Sequence, residues 1–136
     1  MDEERRALVI ARLTKATQKL AAARADLEAG RYDDAASRAY YAMFHAARAV
    51  LAARGLTAKT HAGLGAVFAE QFVRTGVIDA RFGRWFGQGR RAREVGDYDD
   101  FLAVEPDEAT QTVDHAAQFV DEMRRQLRSE GFPVGS

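Results

Sequence analysis

Leu13, Ala16, Leu20, Ala23 and Leu27 recur at intervals of three, four, three and four residues. That spacing gathers them on one face of a helix, whereas a strand, with its two-residue period, would scatter them over both faces. The pattern predicts a first helix from about Glu3 to Ala29, stopped by Gly30. A second stripe reads Ala36, Tyr40, Met43, Ala47, Val50 and Ala53 or Arg54, on a helix capped by Asp33 and ended by Gly55. A third helix fits Lys59 to Thr75, with Leu64, Val67, Phe68 and Phe72 inward and Gly76 as its stop. Asp79 caps a fourth helix reaching about Val95, built around Phe82, Trp85 and Phe86, and Gly96 to Glu105 reads as a loop. Pro106 suits the first turn of a last helix carrying Ala109, Val113, Ala116, Val120, Met123 and Leu127, ended by Gly131. With 27 alanines and two prolines, Pro106 and Pro133, little in the chain resists helix. The expectation is an all-α fold, a compact antiparallel bundle of about five helices, with one domain over 1–130 and a short tail at 131–136.

Charge and composition then narrow the function classes. Twenty Lys and Arg balance twenty Asp and Glu, which excludes an overall basic nucleic-acid binder and leaves local patches. The absence of cysteine removes disulfides, thiolate metal sites and a Cys nucleophile, and fits a reducing compartment. The opening residues MDEERRALVIARLTK lack a signal-like apolar region, and no apolar run approaches a membrane span. A cytoplasmic protein without a membrane partner is expected. His45, His61 and His115 lie far apart and form no HxxxH pair, and there is no Walker loop, GxGxxG or GxSxG. Neither a metal nor a cofactor is expected.

Three local features remain as candidates. Arg38, Tyr41, His45 and Arg48 are spaced three, four and three residues apart, along one helical stripe. Two guanidiniums, a phenol and an imidazole can grip phosphate and carry a proton near neutral pH; equally, they can be side chains of a solvated or helix-packed surface. Arg81, Arg84, Arg90, Arg91 and Arg93 form a run with no acid among them, and ten acids follow from Glu94 to Glu122 with no Lys or Arg. The run can bind a phosphate backbone or pair with the acids, inside the fold or across a dimer. The third feature is Arg93-Glu94-Val95-Gly96-Asp97-Tyr98, which can set a cation and a phenol at one pocket rim or fix a loop by an Arg–Asp pair. Gly83, Gly87 and Gly89 each weaken the fourth helix by about 1 kcal/mol relative to Ala, which points to close approach by a neighbouring helix or a ligand.

The run Ser37-Arg38-Ala39-Tyr40-Tyr41-Ala42-Met43-Phe44-His45-Ala46-Ala47 resembles the second-helix signature of small prokaryotic HEPN-domain proteins. Lys59-Thr60-His61-Ala62-Gly63 and the closing Arg93-x-x-x-Asp97-Tyr98 are similar to the same subfamily, and the likeness spans roughly Leu8 to Leu127. The resemblance implies a helical bundle that forms a homodimer with a groove at the subunit interface. It also implies a toxin of a toxin–antitoxin pair with a minimal nucleotidyltransferase as antitoxin partner. Active HEPN ribonucleases carry Arg-x4–6-His and cut RNA without metal, the His moving protons and the Arg stabilising charge on phosphorus. Here the fifth residue after Arg93 is Tyr98, and the Arg-x4-His-x-Tyr register counted from Arg91 puts Gly96 at the His position and Tyr98 at the modified Tyr. A proton carrier would then be His45, His61 or a shifted Tyr98. On this resemblance Arg93, Asp97, Tyr98 and His45 are the catalytic candidates, and Tyr98 the acceptor of nucleotidyl modification. Arg38, Tyr41, Arg48, His61, Arg90 and Arg91 are candidates for holding RNA or a nucleotide. A non-catalytic nucleotide-binding or partner-docking module is the alternative, and a purely structural helical dimer a third reading.

Overall fold

A computed structural model describes residues 2–135, so Ser136 of the expected tail lies outside the described residues. The helices are α1 (Glu3–Glu28), α2 (Tyr32–Ala53), α3 (His61–Phe68), α4 (Ala80–Tyr98) and α5 (Pro106–Ser129), with no strand among the described residues. A single π-helical turn, Ala69–Val73, continues from α3.

Helix α2 is the hub, packed against α1, α3, α4 and α5. Fourteen of its 22 residues are buried and nine of those are alanine, so its flanks stay slim enough for neighbours on several sides to approach closely. The predicted stripe is therefore only part of its buried surface. On α1 Leu13, Ala16, Leu20 and Ala23 are buried as expected, joined by Val9; the next buried residue is Asp26, with the expected Leu27 only half-buried. The Asp26 carboxylate accepts hydrogen bonds from Arg31 Nε at 2.9 Å and from Arg38, which satisfies a charge that would be costly to bury alone.

Four boundaries differ from the sequence expectation. Helix α2 begins at Tyr32 with Arg31 at the cap position and no side-chain cap. Asp33, the expected cap, instead accepts the Val104 N–H at 2.8 Å and ties the α4–α5 connection to α2. Lys59 lies outside α3, because Thr60 Oγ1 accepts the Gly63 N–H at 2.8 Å and starts the helix there. The expected single helix to Thr75 is interrupted by the π turn, across which Phe68 and Phe72 are both buried with ring centroids 5.7 Å apart. Finally, α4 runs on to Tyr98 and absorbs Gly96, Asp97 and Tyr98 from the expected loop.

That extension has local causes. Arg93 and Asp97 pair at i,i+4, Nε to Oδ2 3.1 Å, and Ser37 Oγ of α2 donates to the same oxygen at 3.3 Å. A Cβ at Gly96 would stand 3.2 Å from the Asp33 carbonyl oxygen, so the glycine lets α4 pass close to the start of α2. Gly89 serves the same packing, since a Cβ there would meet the buried Met43 side chain at 2.4 Å. Asp99 ends the helix by accepting the N–H groups of Phe101 and Leu102 at 2.8 and 2.7 Å.

The C-terminal segment after Gly131 packs back onto the bundle. Phe132 and Val134 join the core, and Arg128 donates to the Gly135 carbonyl at 2.8 Å.

Candidate functional site

The helical extension of α4 places Arg93, Asp97 and Tyr98 together. Arg93 Nη2 donates to Tyr98 Oη at 2.9 Å while Nε holds Asp97. Its guanidinium carbon lies 5.3 Å from the Tyr41 ring centre, 5.1 Å from Tyr98 and 5.9 Å from Tyr40. Only 13% of the Arg93 side chain is exposed. Burial pulls its pKa down, but Tyr41, Tyr98 and Asp97 outweigh that and leave it above the ordinary arginine value. The group is a fixed cation on an aromatic platform. Two of its five N–H donors are used within the protein, which leaves three for an anion.

The platform continues into α3. The buried Tyr40 hydroxyl and His61 Nδ1 are hydrogen-bonded at 2.8 Å, and the imidazole stacks on Phe44 with centroids 4.5 Å apart. Tyr41 meets the same imidazole edge-on at 5.8 Å, so one phenol ring touches both His61 and Arg93. Burial pushes the Tyr40 phenol up to about 12, and it keeps its proton at neutral pH. Burial, then the charges of Arg93 and Arg90, hold His61 below the usual histidine value, so it is neutral at pH 7. Its Nε2 has no partner among the described residues and is not sealed from solvent. A phenol hydroxyl can donate to Nδ1 or accept from it, so Nε2 can serve as proton acceptor or donor.

The structure divides the predicted α2 stripe. Tyr41 joins the Arg93 platform, whereas Arg38 is drawn off to Asp26. Arg48 lies over Phe44 at 5.6 Å, and its carbonyl accepts from Arg12 at 3.1 Å. His45 is buried on the side facing α1, with Nδ1 sealed and unpartnered. Burial first, then Lys15, Arg48, Lys19 and Arg12, lower its pKa to about 4, far from the poise expected of a proton carrier near pH 7. The polar spacing is real, but α1 covers the His45 end of it.

The arginine run is partly neutralised, and locally. Arg81 approaches Asp79 at 3.9 Å, Arg90 approaches Glu94 at 3.3 Å, and Arg93 holds Asp97. Of the acidic run, only Glu94 and Asp97, both on α4 itself, take part, and the α5 acids do not pair with these arginines. Arg84 and Arg91 make no ion pair among the described residues. Arg91 opens onto a separate cleft of about 380 Å³ beside the stacked pair Trp85–His115.

Sequence reasoning missed the part played by Tyr40, which it read only as a core residue, and by Phe44. The Tyr40-Tyr41 doublet was the available signal. Adjacent helix positions point about 100° apart, so one aromatic can face the core while the other faces the groove. Among the described residues no group of three His, Asp or Glu could hold a metal ion. No helix among the described residues is long and apolar enough to cross a membrane.

Comparison with known proteins agrees with this architecture. A protein of Methanocaldococcus jannaschii named "Putative toxin" is 36% identical over 113 residues, covering 83% of this chain and 84% of that protein. A second protein of that organism, also named "Putative toxin", is 28% identical over 104 residues, covering 76% of this chain and 71% of that protein. A Thermotoga maritima protein named "UPF0332 protein" is 30% identical over 95 residues, covering 70% and 72%. The family model described as "HEPN domain" matches residues 9–126, nearly the whole bundle, and the chain therefore belongs to the HEPN family.

Proposed function

We propose that this chain is a toxin-like HEPN protein that cleaves RNA at the Arg93 platform without metal, as the effector of a toxin–antitoxin pair. The supporting observation is a largely buried guanidinium with three free donors beside a neutral imidazole whose Nε2 reaches solvent. Arg93 binds the non-bridging phosphate oxygens. His61 Nε2 takes the proton from a ribose 2′-OH, the 2′-oxygen attacks phosphorus, the P–O5′ bond breaks, and the leaving 5′-oxygen takes a proton from water. The products are a 2′,3′-cyclic phosphate and a 5′-hydroxyl. His61 thereby takes the proton-carrying role that the usual motif gives to the residue at Tyr98. Names of relatives support the toxin reading, while the site geometry supports the phosphodiester chemistry.

The protein works as a cytoplasmic homodimer of a 1–130 domain, paired with a nucleotidyltransferase antitoxin. Tyr98 is 69% exposed on α4, which makes it a reachable acceptor for nucleotidyl transfer. Mass spectrometry after incubation with that partner and ATP places the added group on Tyr98; modification elsewhere rejects the assignment.

The decisive test is cleavage of cellular RNA in EDTA. Wild type cuts, and Arg93→Ala and His61→Gln each lose roughly a hundredfold or more in rate while remaining folded. Wild-type rates in Arg93→Ala would remove Arg93 from the mechanism. A second reading, a non-catalytic nucleotide-binding or partner-docking module, is favoured by one observation: Asp97 and Tyr98 already hold Arg93 in place. Saturable nucleotide binding with no RNA turnover would select that reading.

A further inference from the structure

Bordering this platform at Tyr40 and His61 lies an open groove of about 450 Å³ between α3 with its π turn and α4. Its walls are the rings of Tyr40, Phe68 and Phe86 and the bare backbone at Gly65, Gly83 and Gly87. A Cβ at Gly65 would meet nothing within 4 Å, and one at Gly87 would meet only Arg91 Nη1 at 3.7 Å. Helix packing therefore does not require these two glycines, in contrast to Gly89 and Gly96. Two arginines stand at the rim. Arg84 makes no ion pair, and Arg90 Nε is sealed without a hydrogen bond although Glu94 approaches it at 3.3 Å. Apolar, flat-walled and edged with guanidiniums, the groove suits a planar, electron-rich ring attached to an anion.

We infer that this groove is a nucleobase subsite, holding the base of the nucleotide whose phosphate lies at Arg93. The inference rests on the reading of Arg93 as a phosphate-binding residue and names where the rest of that ligand goes. Continuity carries it, since Tyr40, His61 and Arg90 border the groove and also bear on Arg93 or its platform. A base in the groove packs against the apolar ring walls with Arg84 over its exposed face, and the sugar-phosphate passes His61 towards Arg93.

Calorimetric titration of the full chain with ribose 5-phosphate, adenosine and the four nucleoside 5′-monophosphates tests it, beside the Gly87→Leu variant. Gly87 is half-buried, but a Cβ there meets only the end of the Arg91 side chain, and Leu raises helix propensity, so the variant is expected to fold; Gly65→Leu fills the groove from the opposite wall if it does not. At least one nucleotide binds tenfold or more tighter than ribose 5-phosphate, and Gly87→Leu erases that advantage while leaving ribose 5-phosphate binding unchanged. Equal affinities for ribose 5-phosphate and all four nucleotides, or an advantage that survives Gly87→Leu, overturns the subsite and leaves the phosphate reading standing. Adenosine binding that Gly87→Leu abolishes, with no ribose 5-phosphate binding, supports the subsite and removes the phosphate reading. No binding of any probe removes both. A fall in solution mass on Gly87→Leu, read by light scattering, would make the groove a contact between copies of this chain and overturn the proposal.

Discussion

On the α1 side of α2, His45 is buried beside the Phe44 ring and faced by Lys15, Lys19, Arg12 and Arg48, with one ring nitrogen sealed and unpartnered. On the α4 side, His61 is held through Nδ1 by Tyr40, faced by Arg90 and Arg93, and open to solvent at Nε2. Burial and neighbouring cations lower the pKa of both imidazoles. The shared direction has unlike consequences. His45 is a neutral polar group absorbed into packing, whereas His61 is a neutral base presented beside a cation. A perturbed histidine is chemically useful only where its lone pair can reach a substrate, and in this bundle that separates the two sides of one helix.

The largest test of this contrast bears on packing. Leu13→Ala on the α1 side is expected to cost about 3 kcal/mol in urea unfolding while ribose 5-phosphate binding by the folded protein is unchanged. Binding lost from still-folded protein would show that the two sides are coupled. Acid comes next. His45 binds its proton at about 4 when folded and near 6.5 when unfolded, so the unfolded state takes up more protons between those values. Stability is therefore full above about pH 6.5 and falls as pH drops towards 4, by roughly 3 kcal/mol. His61, also lowered, adds to the loss in the same direction. His45→Leu should flatten most of that slope, and an unchanged slope would move the burden to another group.

Smaller effects sharpen the α4 side. Tyr40→Phe removes the hydroxyl bonded to His61 and should cost about 1 kcal/mol in stability, with a larger proportional loss in RNA cleavage. Equal retention of both would show that the bond does not position the imidazole. Smallest is the response of the two histidines to Arg93→Ala in an NMR titration. His61 should move upward towards 6.5 as a facing cation is lost, and His45, whose cations are on α1 and at Arg48, should stay in place. A shift of His45 instead would reverse the assignment of which imidazole senses Arg93.

Much of the bundle was legible in the chain. The three-four spacing of Leu13 to Leu27, the capping Asp79 and the glycines at 30, 55, 76 and 131, each with positive φ, marked helices and stops that the structure contains. Errors gathered at helix ends, some set by distant partners and some by local contacts such as the Thr60 cap on α3. Asp33 was free to cap by local rules, but Val104, 71 residues away, takes its carboxylate. Asp97 and Tyr98 looked like loop residues, but the helix runs on through them, held locally by Arg93 and from α2 by Ser37. The site was half legible. Arg93, Asp97 and Tyr98 stand in one short run, but nothing in the spacing of α2 could show that Tyr41 belongs with them while His45 belongs with α1.

By itself the sequence determined the helical class, the positions of most helices and the run that carries the central arginine, because helix formation and capping depend on neighbours within a few residues. Only the tertiary structure decided which histidine meets that arginine, which face of α2 is covered, and that glycines at 65 and 87 border a groove instead of a packed helix. Those outcomes depend on contacts between residues tens of positions apart, which chain proximity does not encode.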